Sequence, residues 1–478
     1  MSVIRDYLDP TRSIWGQAAF IALFAVAGGL IAAFGGPLAA AAVFLALVAI
    51  FIVLRDIEVG FWGVILVVTL IPFATLPIDI GLIPTFLDLA IGAVVGVWAL
   101  AIVTGQQKTI TLSPITLPLV IFILMAIFAF IFGMSNGPLT PTLLRKFAEL
   151  LISLGLVLVI IDYCSSWDRL QRLVKVLLLA GAAASAVAIG LWLLPDDTAN
   201  SALNVLQRLG YPGGWVIRYI EENPELAERA IGTSVDPNVL GGLLLMIGAL
   251  AGPQLVTKEP LFSRRVTILI IGLIYVALIL TFSRSAMLGL ASGLLFVTAV
   301  RFRRLLPYML AAALLLLLLP VAQDYITRFI EGAQGQDLAT QMRFGEYKDA
   351  ITLIQRYPIF GVGFAGTPDI DIYLGVANVY LTIAQVMGLV GLLSFFAIVA
   401  TIFGYAFLNR QWFKSHPKQD AVWLGLHAAL GGALVAGFFD HYLFNLEFHH
   451  AVTAYWMIVG LAVASTYLGA ASSATESD

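Results

Sequence analysis

From Ile14 to Leu468 the chain returns repeatedly to apolar runs, separated by short polar intervals. As α-helix, at about 1.5 Å per residue, a run of about 20 residues matches the hydrocarbon thickness of a bilayer. Inside lipid each backbone N–H and C=O must find its partner within the same segment, so successive runs of this length read as helices rather than as a barrel. About 14 such runs are visible, and an all-α integral membrane protein with a polytopic bundle of about 12–14 transmembrane helices is the expected fold.

Composition closes off the alternatives. Of 478 residues, 60% are hydrophobic and 12% charged, and the mean hydropathy is +0.96. A soluble domain needs more charge to cover its surface. The net charge of -3 offers nothing to attract nucleic acid. The single cysteine, Cys164, cannot form an internal disulfide, and no Cys/His cluster suggests zinc. The first run, 14–34, follows Arg5 and Arg12 and is too long for a signal-peptide core, so it reads as a retained first span.

The runs and the polar intervals divide the chain. Residues 1–194 hold the N-terminal spans, 195–235 a first long outer loop, and 236–321 the central spans. Residues 322–377 form a second, partly helical outer loop, 378–470 the C-terminal spans, and 471–478 a cytoplasmic tail. With the N-terminus in the cytoplasm, most of the 26 basic residues fall inside, at span ends: Arg55, Arg169, Arg172, Arg264, Arg265, Arg301, Arg303, Arg304 and Arg410 among them. The outer set is Arg145, Lys146, Arg208, Arg218, Arg229, Arg284, Arg328, Arg343, Lys348 and Arg356. It is mostly arginine, whose planar fork suits phosphate oxygens.

The second loop is the longest polar interruption in the chain. Phe344, Tyr347, Ile351 and Ile354 recur at helical spacing, and Pro358 should end that helix. Gly361, Gly363 and Gly366 then read as a flexible turn whose amides can approach a ligand. In the first loop, Asn223-Pro224 predicts a helical turn over 225–229, and Asp236-Pro237 predicts the capped start of the next span beside Arg229. Arg284 falls between two closely spaced spans, with Ser283 and Ser285 as neighbouring hydroxyls. Arg145 and Glu149 are spaced to pair, while Arg145 and Lys146 at an outer boundary also suit a lipid phosphate. Asp88, near the outer end of a span, either pairs with a neighbouring helix or lines an outward cavity.

Four stretches carry a family resemblance: RAIGTSVDPNVLGG (229–242), TFSRSAMLGL (281–290), RFGEYKDAITLIQRYPIFGVGFAG (343–366) and ANVYLTIAQVMGLVGLL (377–393). In order and topology they resemble the bacterial O-antigen ligase and O-antigen polymerase family of polytopic glycosyltransferases. The resemblance implies transfer of a glycan from a polyprenyl (undecaprenyl) diphosphate to a glycan or lipid acceptor hydroxyl at the outer face of the bacterial cytoplasmic membrane. It implies inversion at the anomeric centre with no metal and no cofactor. It also implies that Arg229, Arg284 and Arg343 bind the donor diphosphate, with Arg145 a further candidate, and that Asn378, Gly361, Gly363 and Tyr347 position the loop or the acceptor. A flippase and a chain-length-control protein would be natural partners.

One departure stands out. Many members carry a His-Asn pair before the long late span, where this chain reads Val376-Ala377-Asn378. Candidate bases are then Glu346, Asp369, Asp371 and His441. The missing histidine favours a polymerase over a ligase onto lipid A core. Two other classes stay open: a transporter, with Asp88 and Gln385 lining a pathway, and a scaffold of an envelope assembly complex.

Overall fold

The computed structural model describes residues 51–76, 83–107, 109–309, 338–369 and 375–477, together with the single positions 29, 44, 48 and 311. The expected spans at 14–34 and 305–321, most of 37–54, the loop stretch 322–337 with Arg328, and Asp371 lie outside the described residues or largely so.

The chain is built of helices, as the apolar runs require. In order they are α1 (Ile57–Leu70), α2 (Phe86–Val103), α3 (Thr116–Gly133), α4 (Pro141–Tyr163), α5 (Trp167–Trp192), α6 (Asp196–Asn204) and α7 (Pro237–Ala251). Then follow α8 (Arg264–Leu280), α9 (Arg284–Val300), α10 (Leu338–Arg356), α11 (Val379–Leu408), α12 (Pro417–Ala436) and α13 (His449–Ser477). Among the described residues, six helical stretches are long and apolar enough to cross a bilayer, built on α2, α3, α5, α7, α11 and α13, with α1 and α9 as shorter apolar helices. The protein is therefore an all-α, multi-pass membrane protein.

Local sequence sets the helix starts. Thr85 and Asp88 close a reciprocal cap on α2. Thr140 before Pro141 caps α4, and Asp236 before Pro237 caps α7 through the amides of Asn238 and Val239. In the first loop, however, Asn223 only turns the chain: Glu228–Arg229 pairs as a strand with Arg218–Tyr219, so no helix forms over 225–229. An Asn-Pro pair suits a turn as well as a helix start, and pairing with the preceding strand decides between them.

The bundle has a dry centre and a lipid-facing rim. α13 and α7 are almost wholly enclosed, whereas α2 and α3 leave most of their surface outward, with Leu117, Leu124 and Ile131 exposed. Small residues let the central helices meet backbone to backbone. A Cβ on Gly289 of α9 would lie 2.7 Å from the Gly432 carbonyl of α12, and one on Gly293 would lie 2.6 Å from the Ala428 carbonyl.

The polar ends sort by face. On one face Arg172 grips Glu58 with two bonds of 2.6 and 2.7 Å, and Arg301 grips Asp420 with bonds of 2.8 and 2.6 Å. At the opposite ends of these helices lie Asp88, Arg145, Arg229 and the loop that precedes α11.

Candidate active site

Arg229 sits at the end of the two-residue strand that leads into α7. Its Nε donates to the Thr281 carbonyl at 2.9 Å and its Nη2 to Asn238 Oδ1 at 2.7 Å. The neighbouring Ala230 amide is held by the Leu280 carbonyl at 2.8 Å. Backbone and side chain are thus both tied to the turn between α8 and α9, which fixes the plane of the guanidinium. That turn begins α9 at Arg284, with the Ser283 and Ser285 hydroxyls 3.2 Å apart. Arg284 lies close enough to Arg229 for its charge to act there.

Two strained residues flank this pair. Val235, just before the α7 cap, has φ 61°, and Phe282, just before the α9 start, has φ 51°. A branched or bulky side chain pays for a left-handed backbone only where the surroundings hold it, and such residues gather at functional sites.

The second wall comes from α10, the start of α11 and the α12–α13 loop. Tyr347 Oη donates to the Phe438 carbonyl at 3.2 Å, and Asn378 Nδ2 donates to the same carbonyl at 2.9 Å. Asn378 also caps α11 by accepting from the Leu381 amide at 2.9 Å. Glu346 accepts from the Ala377 amide at 3.0 Å. These bonds lock α10 onto the mouth of the α11–α12 pair. Just beyond Phe438 come the buried Asp440, then His441, whose Nδ1 lies 3.4 Å from Asp440 Oδ1.

Electrostatics join the two walls. Burial pulls the Arg229 guanidinium below its ordinary pKa, while Asp236, Glu222 and Asp440 act to hold it up. Burial pushes the Asp236 carboxyl up. Burial likewise raises the Tyr347 hydroxyl, against the charge of Arg343, with Glu346 and Asp440 also acting on it. Asp440 therefore feels both Arg229 on one wall and Tyr347 on the other, and Arg343 stands beside Tyr347. The structure thus brings Arg284 and Asp440 within electrostatic reach of Arg229, Arg343, Glu346 and Asp440 within reach of Tyr347, and Glu346, Asp236 and Asp440 within reach of His441, with Tyr347 and Asn378 sharing the Phe438 carbonyl.

Other expected residues go elsewhere. The guanidinium of Arg145 pairs with Glu149 one turn on, and lies 3.5 Å from Asp88. Its countercharge is supplied by these two carboxylates. Asp88 is held by this pair and lies 3.8 Å from His449 Nδ1, the helix-pairing reading of that residue.

Gly361 and Gly363 also need correction as a flexible, ligand-facing turn. The Gly361 amide donates to the Tyr357 carbonyl at 3.2 Å and the Gly363 amide to the Val386 carbonyl at 3.0 Å. A Cβ on Gly361 would lie 2.4 Å from the Gln385 carbonyl, and one on Gly363 would lie 2.5 Å from Gly133 Cα. These glycines are packing points, not an anion cradle, because the loop is threaded between α3 and a break in α11.

Reading the sequence missed Asn238, the Thr281 carbonyl and the role of Asp440. Asn238 follows the Asp-Pro cap directly, but no pattern announces that it reaches back to Arg229. Asp440 was legible only as the neighbour of His441.

The fold and this site define a polytopic α-helical membrane protein with an arginine-rich polar locus at one end of the bundle. Residues 268–396 match the family model described as O-Antigen ligase, from within α8 to within α11. That segment holds Arg284, Arg343, Glu346, Tyr347 and Asn378, while Arg229 and His441 lie outside it. The match supports a membrane glycosyltransferase of the O-antigen ligase/polymerase type, as the four stretches above imply. No curated protein matches the chain.

Proposed function

We propose that the protein is an inverting, metal-independent glycosyltransferase that polymerises a glycan from a polyprenyl diphosphate donor at the outer face of the bacterial cytoplasmic membrane. The observation that carries this reading is Arg229, held by two hydrogen bonds with the charge of Arg284 acting on it, while Asp440 acts both on it and on Tyr347, the neighbour of Arg343.

The chemistry asks for such a group. As the acceptor hydroxyl attacks the anomeric carbon, the sugar–phosphate bond breaks and negative charge collects on the departing polyprenyl diphosphate. Guanidinium groups already fixed in place stabilise that charge without reorganising at the moment of reaction. Arg229 fits this part because two hydrogen bonds hold its plane before any ligand arrives. The side of the membrane follows from charge: the basic span ends with Arg172 and Arg301 belong to the opposite face, the cytoplasmic one by the positive-inside rule. Membrane lipids, a flippase and a chain-length-control protein are the partners this role would need. A ligase acting on another acceptor is the nearest variant of the same chemistry.

The test is reconstitution. Purified protein with a polyprenyl-diphosphate oligosaccharide should yield a ladder on a gel that separates single transfer from elongation. Arg229→Ala, Arg284→Ala and Arg343→Ala should each slow it by about 100-fold or more, with normal accumulation in the membrane. A normal ladder from all three variants would overturn the proposal, and one added unit without a ladder would turn it to the ligase.

A further inference from the structure

We infer that His441 is the general base that takes the proton of the acceptor hydroxyl, with Asp440 as its positioning residue. This rests on the reaction proposed above and names the residue that the departure at Val376-Ala377-Asn378 leaves unassigned.

The arrangement has the parts of a carboxylate–imidazole pair. Asp440 is buried, and its Oδ1 accepts the His441 backbone amide at 2.8 Å, which pins the carboxylate at the base of the histidine. His441 Nδ1 is buried 3.4 Å from the same oxygen. A third of the side chain remains open, at 34% exposure. The open nitrogen is Nε2, which has no hydrogen-bond partner among the described residues. The ring thus has Nδ1 within ion-pair distance of a buried carboxylate, without a hydrogen bond to it, and leaves Nε2 to accept a proton.

The competitors are less well placed. The Glu346 carboxylate accepts the Ala377 amide at 3.0 Å, and so fixes α10 on the start of α11. Asp369 pairs with Arg356 at 2.8 Å. Asp371 lies outside the described residues. The histidines His449 and His450 stand at the start of α13, with His449 packed against Ser153 and Glu149.

The step balances. As the acceptor oxygen bonds to the anomeric carbon, its proton passes to His441 Nε2. The bond from that carbon to the diphosphate oxygen breaks, and its electron pair leaves on the diphosphate, which the arginines hold. Asp440 offsets the charge of the imidazolium, and the proton then returns to water.

The groups facing His441 fix the direction of its titration. Burial alone would lower its pKa. Asp440 from its own loop, Glu346 from α10 and Asp236 from the start of α7 outweigh burial, and the net shift is upward from the ordinary histidine value. A base works when neutral, so the transfer rate should rise with pH through a value above that ordinary one. Removing the Asp440 charge should move that limb down.

The experiment uses the full-length protein in detergent or liposomes, with a polyprenyl-diphosphate oligosaccharide and an acceptor glycan. Donor binding and transfer are measured separately across pH. His441→Gln should bind donor like the wild type and transfer at least about 100-fold more slowly. Asp440→Asn should shift the acid limb to lower pH, which a merely structural role would not do. Wild-type transfer by His441→Gln with an unchanged acid limb overturns the assignment. A wild-type protein that neither binds nor consumes the donor overturns the proposed function, and this base with it. Loss of donor binding in His441→Gln overturns the base assignment alone, in favour of a binding role.

Discussion

At the scale of single residues, the site depends on how Arg229 is held rather than on its charge alone. Lysine at this position would keep the charge but cannot reach both the Thr281 carbonyl and Asn238 Oδ1 from one planar group. Arg229→Lys is therefore expected to lose most of the transfer activity in the reconstituted assay while still binding donor weakly. Asn238→Ala removes one of the two anchors. A hydrogen bond to a charged group is worth about 1.5–3 kcal/mol, so a loss of about tenfold or more in transfer is expected, with no change in accumulation. Equal activity of Asn238→Ala and wild type would show that the guanidinium plane does not matter.

Among the spans, α11 is one that sequence and structure describe differently. Its 30 residues read as a single long span that tilts or projects. In the structure Gly388 has φ 69° and interrupts the helix, and a Cβ there would lie 2.1 Å from the Ile359 carbonyl. The gap receives the loop after α10: the Val362 amide donates to the Gln385 carbonyl at 2.8 Å, and the Leu389 amide donates to the Pro358 carbonyl at 2.8 Å. Backbone groups freed by the break are thus paired again, as a low-dielectric setting demands. Phe360 sits against Phe128 and Phe132 of α3, three partly exposed rings of the kind that gather at a membrane interface. Gly388→Ala meets both backbone strain, worth about 1–3 kcal/mol, and a steric overlap. It should lower the melting temperature in detergent and expose the 357–366 loop to protease. An unchanged melt and digest would refute this account of the break.

For the whole molecule, the assignment of faces is the claim on which the site's location rests. Glu447 and Arg304 lie at opposite ends of the bundle, and both are exposed. Cys164 is buried and should stay silent to a thiol reagent. In spheroplasts, Glu447→Cys should therefore react with a membrane-impermeant maleimide and Arg304→Cys should not until the cells are lysed. The reverse pattern would put the arginine site in the cytoplasm. The same face holds the Arg301–Asp420 pair, whose side chains are only 17% and 10% exposed. Arg301→Ala leaves Asp420 without its counterion and is expected to destabilise the fold by about 3 kcal/mol, read as a drop in melting temperature. Arg301→Met with Asp420→Leu should recover much of it.

The amino-acid sequence by itself determined that this chain is a helical membrane protein and where many of its helices begin, and it set apart an expected outer group of basic residues that is mostly arginine. Those properties follow from local quantities: run length against bilayer thickness, cap residues beside prolines, and charge counted between spans. Only the tertiary structure decided that Arg284 and Asp440 act on Arg229, that Arg145 also reaches Asp88, that the glycine loop fills a broken helix, and that Glu346 and Asp236 act on His441. Each of these joins residues far apart in the chain. Such contacts depend on the packing of several helices at once, which no single stretch of sequence encodes.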